Sequence, residues 1–309
     1  MIDTVERPIT AVARTLIQSR LTEASRACAR LNSGEEGEAL HDFRVALRRT
    51  RSLIRASRPW LDPWIDGRAR RGLRELAAST NRGRDIEVQR EWLNAYTPAR
   101  PAQAARQWLI EHLEEGLAGQ TASVLEGLPE RFAAIEQHLK GRARRLDLSE
   151  VPSFAEVWRL QLRAECSAYM RALEQAAMEV EAVHAARIAG KRVRYLLEAL
   201  RSVHPSTPEL LNELKAGQEL MGRVHDLEVF LTDLPRYAGE AAAESVQGAF
   251  ADLLHADPAL PPRLMHMAGL RVIGRALRTD YHQALDAFCH ARPGLLALAD
   301  RVVVMAETL

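Results

Sequence analysis

The chain has few of the residues on which several kinds of site depend. Its three cysteines are too few and too scattered for a disulfide framework or a thiolate metal site, which predicts packing roles in a reducing compartment. Aromatic residues make up only 5% of the chain. No uncharged run approaches the ~18 residues that span a bilayer, and the N-terminus lacks a basic segment followed by an apolar one. The sequence therefore predicts a cytoplasmic protein without a membrane partner.

Lysine is also scarce, since 39 of the 42 basic residues are arginine. Guanidinium groups can hold phosphate oxygens in pairs, but a GC-rich genome produces the same bias, so composition alone leaves both explanations open. The net charge of +1 argues against long-range attraction of the whole molecule to nucleic acid. Between residues 41 and 90, however, thirteen arginines stand against six acidic residues, so positive charge is concentrated in one segment.

The remaining composition favours helices. Alanine, leucine, arginine and glutamate recur without long runs of β-branched residues, which predicts an all-α protein. Periodicity predicts helices over 9–31, 40–58, 65–80, 84–95, 101–119, 121–145, 153–180, 181–203, 207–221, 225–236, 238–256 and 261–291. The segment 147–153 interrupts the pattern, so we divide the chain into a first helical half, 1–149, and a second, 150–309.

One basic pattern occurs twice, 143 residues apart. The copies read His41-Asp-Phe-Arg44-Val-Ala-Leu-Arg48-Arg49-Thr-Arg51 and His184-Ala-Ala-Arg187-Ile-Ala-Gly-Lys191-Arg192-Val-Arg194. A weaker pair of similar segments, 83–88 and 224–229, is offset by 141 residues. Nearly equal offsets predict an internal duplication in which each half contributes one cationic helix.

Both copies place their cations on one helix face. At about 100° per residue, the face of the first copy spans about 100° and contains His41, Arg44, Arg48, Arg51, Arg55 and Arg58. In the second copy Tyr195 adjoins this face, and Glu198 replaces Arg55 and is expected to pair with a neighbouring arginine. Like charges at this spacing repel by about 0.2–0.5 kcal/mol per pair. The repulsion needs compensation, from a bound polyanion, from acidic residues on adjacent helices or from solvent, and two copies in register favour the polyanion.

Other polar residues have more than one interpretation. His41 and His184 are either phosphate donors or helix-entry hydrogen-bond partners, and a metal site is not predicted because no second ligand lies at i+4. Asp85 and Asp226 are expected to cap helices or to orient arginines. Further basic residues stand at the second pair of repeats, namely Arg82, Arg84 and Arg223. A separate cluster, whose direction the sequence does not define, contains Arg68, Arg70, Arg71 and Arg74.

The two copies resemble the CHAD family, a duplicated helical domain named for its histidine. The resemblance runs over about residues 5–295 and implies two pseudo-symmetric helical bundles around a basic central cavity that binds inorganic polyphosphate without chemistry. It also implies a place at polyphosphate granules, with other granule proteins as partners. Two positions depart from the pattern, because Ser52 stands where the second copy has Tyr195, and Gly190 is expected to interrupt the second helix.

We therefore expect non-catalytic binding of inorganic polyphosphate, with no metal and no cofactor. The residues expected to bind it are His41, Arg44, Arg48, Arg49, Arg51, Arg55, Arg82, Arg84, His184, Arg187, Lys191, Arg192, Arg194, Tyr195 and Arg223. A protein that binds RNA or DNA is an alternative, but aromatic platforms are sparse. An enzyme acting on phosphate esters is another, but carboxylates are scattered and the Glu-x-Glu-x-Lys strand of triphosphate-processing relatives is missing.

Overall fold

A computed structural model describes residues 5–31, 36–142, 151–177, 181–255 and 266–309. Over these residues the chain forms eleven α-helices and no extended strand, which confirms the all-α prediction. The helices are α1 (Ile9–Leu31), α2 (Glu36–Ala56), α3 (Arg58–Leu61), α4 (Gly67–Ser79), α5 (Asn81–Ala95), α6 (Arg100–Leu125), α7 (Leu128–Arg142), α8 (Phe154–Gln175), α9 (Ala182–Ala199), α10 (Thr207–His255) and α11 (Met267–Ala306). No helix in the described ranges is long and apolar enough to cross a membrane.

Two long helices differ from the predicted pattern. The predicted helices 207–221, 225–236 and 238–256 are one helix of 49 residues, α10, which continues through Pro235. Helix α11 continues through Pro293 to Ala306 instead of ending near residue 291. An internal proline costs a helix about 3 kcal/mol. Buried apolar side chains on both sides of Pro235, such as Phe230 and Tyr237, offset that cost in α10.

The turn between α6 and α7 lies later than predicted. The sequence pattern places it near residue 120, but α6 continues to Leu125. Gly127 then adopts φ = 67°, a left-handed conformation that only glycine enters without steric cost. The positive φ at Gly127 therefore sets the start of α7.

The helices pack into two compact units, each built from separate stretches of chain. Unit 1 contains Met1–Asn81, Ser123–Met221 and Phe288–Leu309, and unit 2 contains Arg82–Ala122 and Gly222–Ala287. Each unit takes segments from both sides of residue 150. The division into halves 1–149 and 150–309 is based on the repeat and stays a prediction. The two helices that carry the basic pattern, α2 and α9, both belong to unit 1; we call them the signature helices.

The signature helices bury the apolar faces that periodicity predicts. On α2 the buried side chains include Phe43, Leu47, Leu53 and Ile54, and on α9 they include Val193, Leu196 and Leu197. Full burial of such a side chain contributes about 1.5–3 kcal/mol. Burial of these faces fixes the rotation of each helix about its axis and therefore the direction of its cationic face.

Helix α9 is continuous through Gly190, so the predicted interruption is wrong. A Cβ atom at this position would lie 2.8 Å from Nε2 of Gln218 on α10 and 2.9 Å from Cε2 of Tyr169 on α8. Both distances are shorter than normal van der Waals contact. Gly190 thus serves the close packing of α9 against two helices of unit 1 rather than a turn.

Helix α4 has a well-defined start at Asp66. Its carboxylate accepts a hydrogen bond from the backbone N–H of Ala69 at 3.0 Å, the usual arrangement of an N-cap. This hydrogen bond, together with His138 at 3.0 Å, lowers the pKa of Asp66. The cap fixes the first turn of α4, from which Arg70 and Arg74 extend.

Candidate anion-binding site

A basic pocket of about 460 Å³ lies in unit 1, where α2, α3, α4 and α9 approach one another. Eight of the thirteen residues that line it are cations: Arg48, Arg51, Arg55, Arg58, Arg70, Arg74, Lys191 and Arg192. The others are Ser52, Ile54, Leu73, Ile188 and Tyr195. In the described part of the chain, no acidic residue contributes to this lining. The pocket therefore suits a ligand with several negative charges.

Four of the pocket arginines lie beyond 4 Å of every carboxylate that the structure describes: Arg48, Arg51, Arg58 and Arg74. The Arg48 guanidinium lies 6.0 Å from the centroid of the Tyr195 ring, at the outer limit of a cation–π contact. Burial, and then the nearby charge of Arg74, lower the pKa of Arg51. Arg51 and Arg74 thus repel each other, and none of the four arginines has a counter-charge within 4 Å among the described carboxylates.

Three further pocket arginines do have acidic partners. Glu165 on α8 contacts two of them. Its Oε1 atom lies 2.7 Å from Nη2 of Arg55, and its Oε2 atom lies 3.9 Å from Nη1 of Arg192. Arg70 donates to Asp62 and, at 2.7 Å, to the carbonyl oxygen of Ile65. These pairs reduce the positive charge of the pocket without reversing it.

A separate cluster outside the pocket also joins the signature helices. Glu198 accepts hydrogen bonds from Arg49 Nε at 2.6 Å and from Arg194 Nε at 3.1 Å, which confirms the pairing expected for it. The Glu198 side chain is only 13% exposed. The Arg49–Glu198 pair thus links α2 to α9, the Arg194–Glu198 pair lies within α9, and neither arginine lines the pocket.

The structure brings together six of the fifteen residues predicted for the site: Arg48, Arg51, Arg55, Lys191, Arg192 and Tyr195. His41 and His184 are exposed near the starts of their helices, and Arg44 and Arg187 are half-buried; none of the four lines the pocket. The site thus uses the later turns of each signature helix.

The remaining predicted residues belong to unit 2. Arg84 and Arg223 are exposed there, and Arg84 lies 3.3 Å from Glu87. The side chain of Arg82 lies outside the described residues. Asp85 and Asp226 are located inside α5 and α10 rather than at helix starts, so neither caps a helix.

Sequence reasoning left Arg58, Arg70 and Arg74 out of the site. Arg70 and Arg74 lie one turn apart on α4 and both line the pocket, whereas Arg68 and Arg71 on the same helix are exposed and do not. The spacing of four residues between Arg70 and Arg74 indicates that both lie on one face of the helix. The packing of α4 against α2 decides that this face is directed toward the pocket, and the sequence pattern does not contain that packing.

The fold and the site define a helical protein with an arginine-lined pocket, and the comparisons with known proteins agree with this fold. The CHAD domain model matches residues 15–235, most of the chain. The chain therefore belongs to the CHAD family, as its repeated motif predicts.

Two solved structures are similar over nearly their full length. The CHAD domain from the plant Ricinus communis superposes with a TM-score of 0.64 at 22% identity, over 86% of this chain and 93% of that one. PptA from Streptomyces chartreusis gives a TM-score of 0.62 at 19% identity, over 92% of this chain and 99% of that one. At these identities the similarity shows the fold alone. No curated protein matches the chain.

Proposed function

We propose that this protein binds inorganic polyphosphate, without chemical conversion, in the basic pocket of unit 1. The observation that carries the proposal is the set of four pocket arginines, Arg48, Arg51, Arg58 and Arg74, that lie beyond ion-pair distance of the described carboxylates. Guanidinium groups make short, charge-assisted hydrogen bonds to phosphate oxygens. A chain of linked phosphates offers such oxygens at successive positions and would remove the repulsion among these cations.

The lining favours polyphosphate over single-stranded nucleic acid. Proteins that bind single strands add aromatic side chains on which bases stack, at about 1–3 kcal/mol per base. Among the described residues, Tyr195 is the one aromatic residue of the pocket, and it is buried, with 8% of its surface exposed. Burial also raises the pKa of its hydroxyl.

The charges of the pocket also favour binding over catalysis. Hydrolysis of a phosphate ester needs a base or nucleophile beside the bound phosphate. Glu165 pairs with two pocket cations, and its Oε1 oxygen already accepts a hydrogen bond from Arg55. The described side chains do not include a group of three or more His, Cys, Asp or Glu residues arranged to hold a metal ion.

Membership of the CHAD family supports a cellular role that follows from binding. We place the protein at polyphosphate granules in the cytoplasm, where it would meet other granule proteins. Localisation of a fluorescent fusion in cells with and without polyphosphate tests this part. A diffuse signal in cells rich in granules would contradict it.

Calorimetric titration with long-chain polyphosphate at two salt concentrations tests the binding itself. An RNA of equal total charge and orthophosphate serve as competing ligands. We expect tight, salt-sensitive binding that is selective for polyphosphate, and loss of that binding when Arg48, Arg51, Arg58 and Arg74 are all replaced by glutamine. Preference for the RNA would favour a nucleic-acid protein, and release of orthophosphate from the chain would favour an enzyme.

A further inference from the structure

Two half-buried glutamates, Glu165 on α8 and Glu198 on α9, each pair with one arginine from either signature helix. Glu165 pairs with Arg55 of α2 and Arg192 of α9. Glu198 pairs with Arg49 of α2 and Arg194 of α9. Each glutamate thus takes one cation from either helix, the arrangement that a bridging phosphate would adopt.

The two bridges differ in what their arginines face. Arg55 and Arg192 both line the basic pocket, whereas Arg49 and Arg194 do not. The Arg55 and Arg192 side chains are each 42% exposed, but the Glu165 side chain is only 15% exposed. The two guanidinium groups therefore have room to turn toward a ligand, while the carboxylate is held behind them by α8.

Resting on the proposed function, we propose that Glu165 is an internal counter-anion that competes with polyphosphate for Arg55 and Arg192 and thereby limits the affinity of the pocket. Carboxylate and phosphate oxygens accept the same charge-assisted hydrogen bonds from a guanidinium group. A phosphate that takes both arginines must replace the 2.7 Å contact to Arg55 and the longer 3.9 Å contact to Arg192. Glu165 is therefore a positioning residue that sets how many pocket cations are available to the ligand.

The same carboxylate has a role in the unliganded protein. Burial lowers the pKa of Arg55, the charge of Glu165 opposes this effect, and the charge of Arg192 adds to it. Without Glu165 the two arginines would repel each other until a ligand arrives. Competition with the ligand is thus the consequence of a contact that also stabilises the empty pocket.

Titration of Glu165→Gln with long-chain polyphosphate tests this proposal. The change keeps the size of the side chain but removes its charge. We expect binding about fivefold tighter than for the unaltered protein, the scale of a partly exposed ion pair. Each phosphate contact contributes about 0.7 to the slope of log affinity against log salt concentration. Two additional arginine contacts therefore make that slope steeper by about 1.4.

Glu198→Gln is the matched control, because it removes an equal charge from a glutamate that also pairs with two arginines, both outside the pocket. We expect no change in its salt slope. Equal tightening in the two variants would show that only net charge matters, and unchanged or weaker binding by folded Glu165→Gln would also overturn the proposal. If the unaltered protein binds no polyphosphate, the proposed function itself fails, which is a distinct result.

Substitution of the arginines tests the idea without altering Glu165. In the unaltered background, Arg55→Gln should weaken binding less than Arg51→Gln, because Glu165 already engages Arg55. In the Glu165→Gln background, the two losses should become similar, a coupling that a double-mutant cycle measures. If Arg55→Gln weakened binding by the same factor in the unaltered protein and in the Glu165→Gln variant, the competition would be refuted. This comparison holds even if Glu165→Gln lowers stability.

Discussion

Replacing Arg51 and Arg74 together by glutamine tests whether the unpaired arginines of the basic pocket are the phosphate contacts. These two side chains come from α2 and α4 and interact by like charge in the empty pocket. Neither forms an ion pair in the described structure, so their removal breaks no internal carboxylate contact. The loss should therefore appear in ligand binding and not in the fold.

The number of unpaired arginines sets the expected magnitude. At about 0.7 per contact, as for single-stranded nucleic acids, four contacts give a slope near −2.8 and about a 50-fold loss of affinity between ~50 and ~200 mM salt. With two contacts the slope falls to about −1.4 and the loss to about sevenfold. If all eight pocket cations contributed equally, the loss in the unaltered protein would instead be about 2,000-fold.

Calorimetric titration at four or more salt concentrations measures these slopes. Arg68→Gln with Arg71→Gln is the matched control, since both residues are exposed on the same helix α4 and do not line the pocket. We expect the control to retain the slope of the unaltered protein. Equal slopes for the pocket variant and the control would refute the assignment of the ligand to this pocket.

Three further predictions concern stability and use thermal or urea unfolding of the protein without ligand. Arg74→Gln should raise the free energy of unfolding by about 0.2–0.5 kcal/mol, because it relieves like-charge repulsion, and a decrease would show that Arg74 has a stabilising partner. Gly190→Ala should lower the free energy of unfolding by about 1–3 kcal/mol through overpacking. Gly239→Ala, which has open space around its Cβ position, should raise it by about 0.5–1 kcal/mol. A stabilising effect of Gly190→Ala would contradict the close packing of α9. Asp66→Ala should cost about 1 kcal/mol at neutral pH, and Asp66→Ser should cost less, because Ser keeps an N-cap acceptor but loses the contact to His138; a larger cost for Asp66→Ser would contradict the N-cap. Because the pKa of Asp66 is lowered on folding, the cost should shrink as the pH falls below about 4.

The parts of this structure that sequence predicts are the local ones. The repeated pattern identifies α2 and α9, and their apolar faces are buried as periodicity requires, because that pattern depends on residues within a few turns of one another. The pairing of Glu198 also follows from a local comparison of the two copies. What the sequence does not contain is the packing between helices.

Packing between helices explains three of the points at which the prediction differs from the structure. Pro235 does not break α10, because buried neighbours on both sides offset the lost hydrogen bond. Gly190 does not break α9, because it lies against side chains of two other helices. The direction of Arg70 and Arg74 depends on which side of α4 faces α2, and no spacing rule within α4 supplies that information.

The pairing of the basic residues separates two uses of the same residue type. Arg49 and Arg194 share the carboxylate of Glu198 away from the pocket, and the Arg49 pair links α2 to α9. Arg48 and Arg51 belong to the same pattern but have no such partner among the described carboxylates. Abundance of arginine therefore does not measure the anion affinity of this protein. In the proposed function, the affinity for polyphosphate depends on how few carboxylates lie beside the pocket, and a change of one charge at such a carboxylate should alter that affinity most.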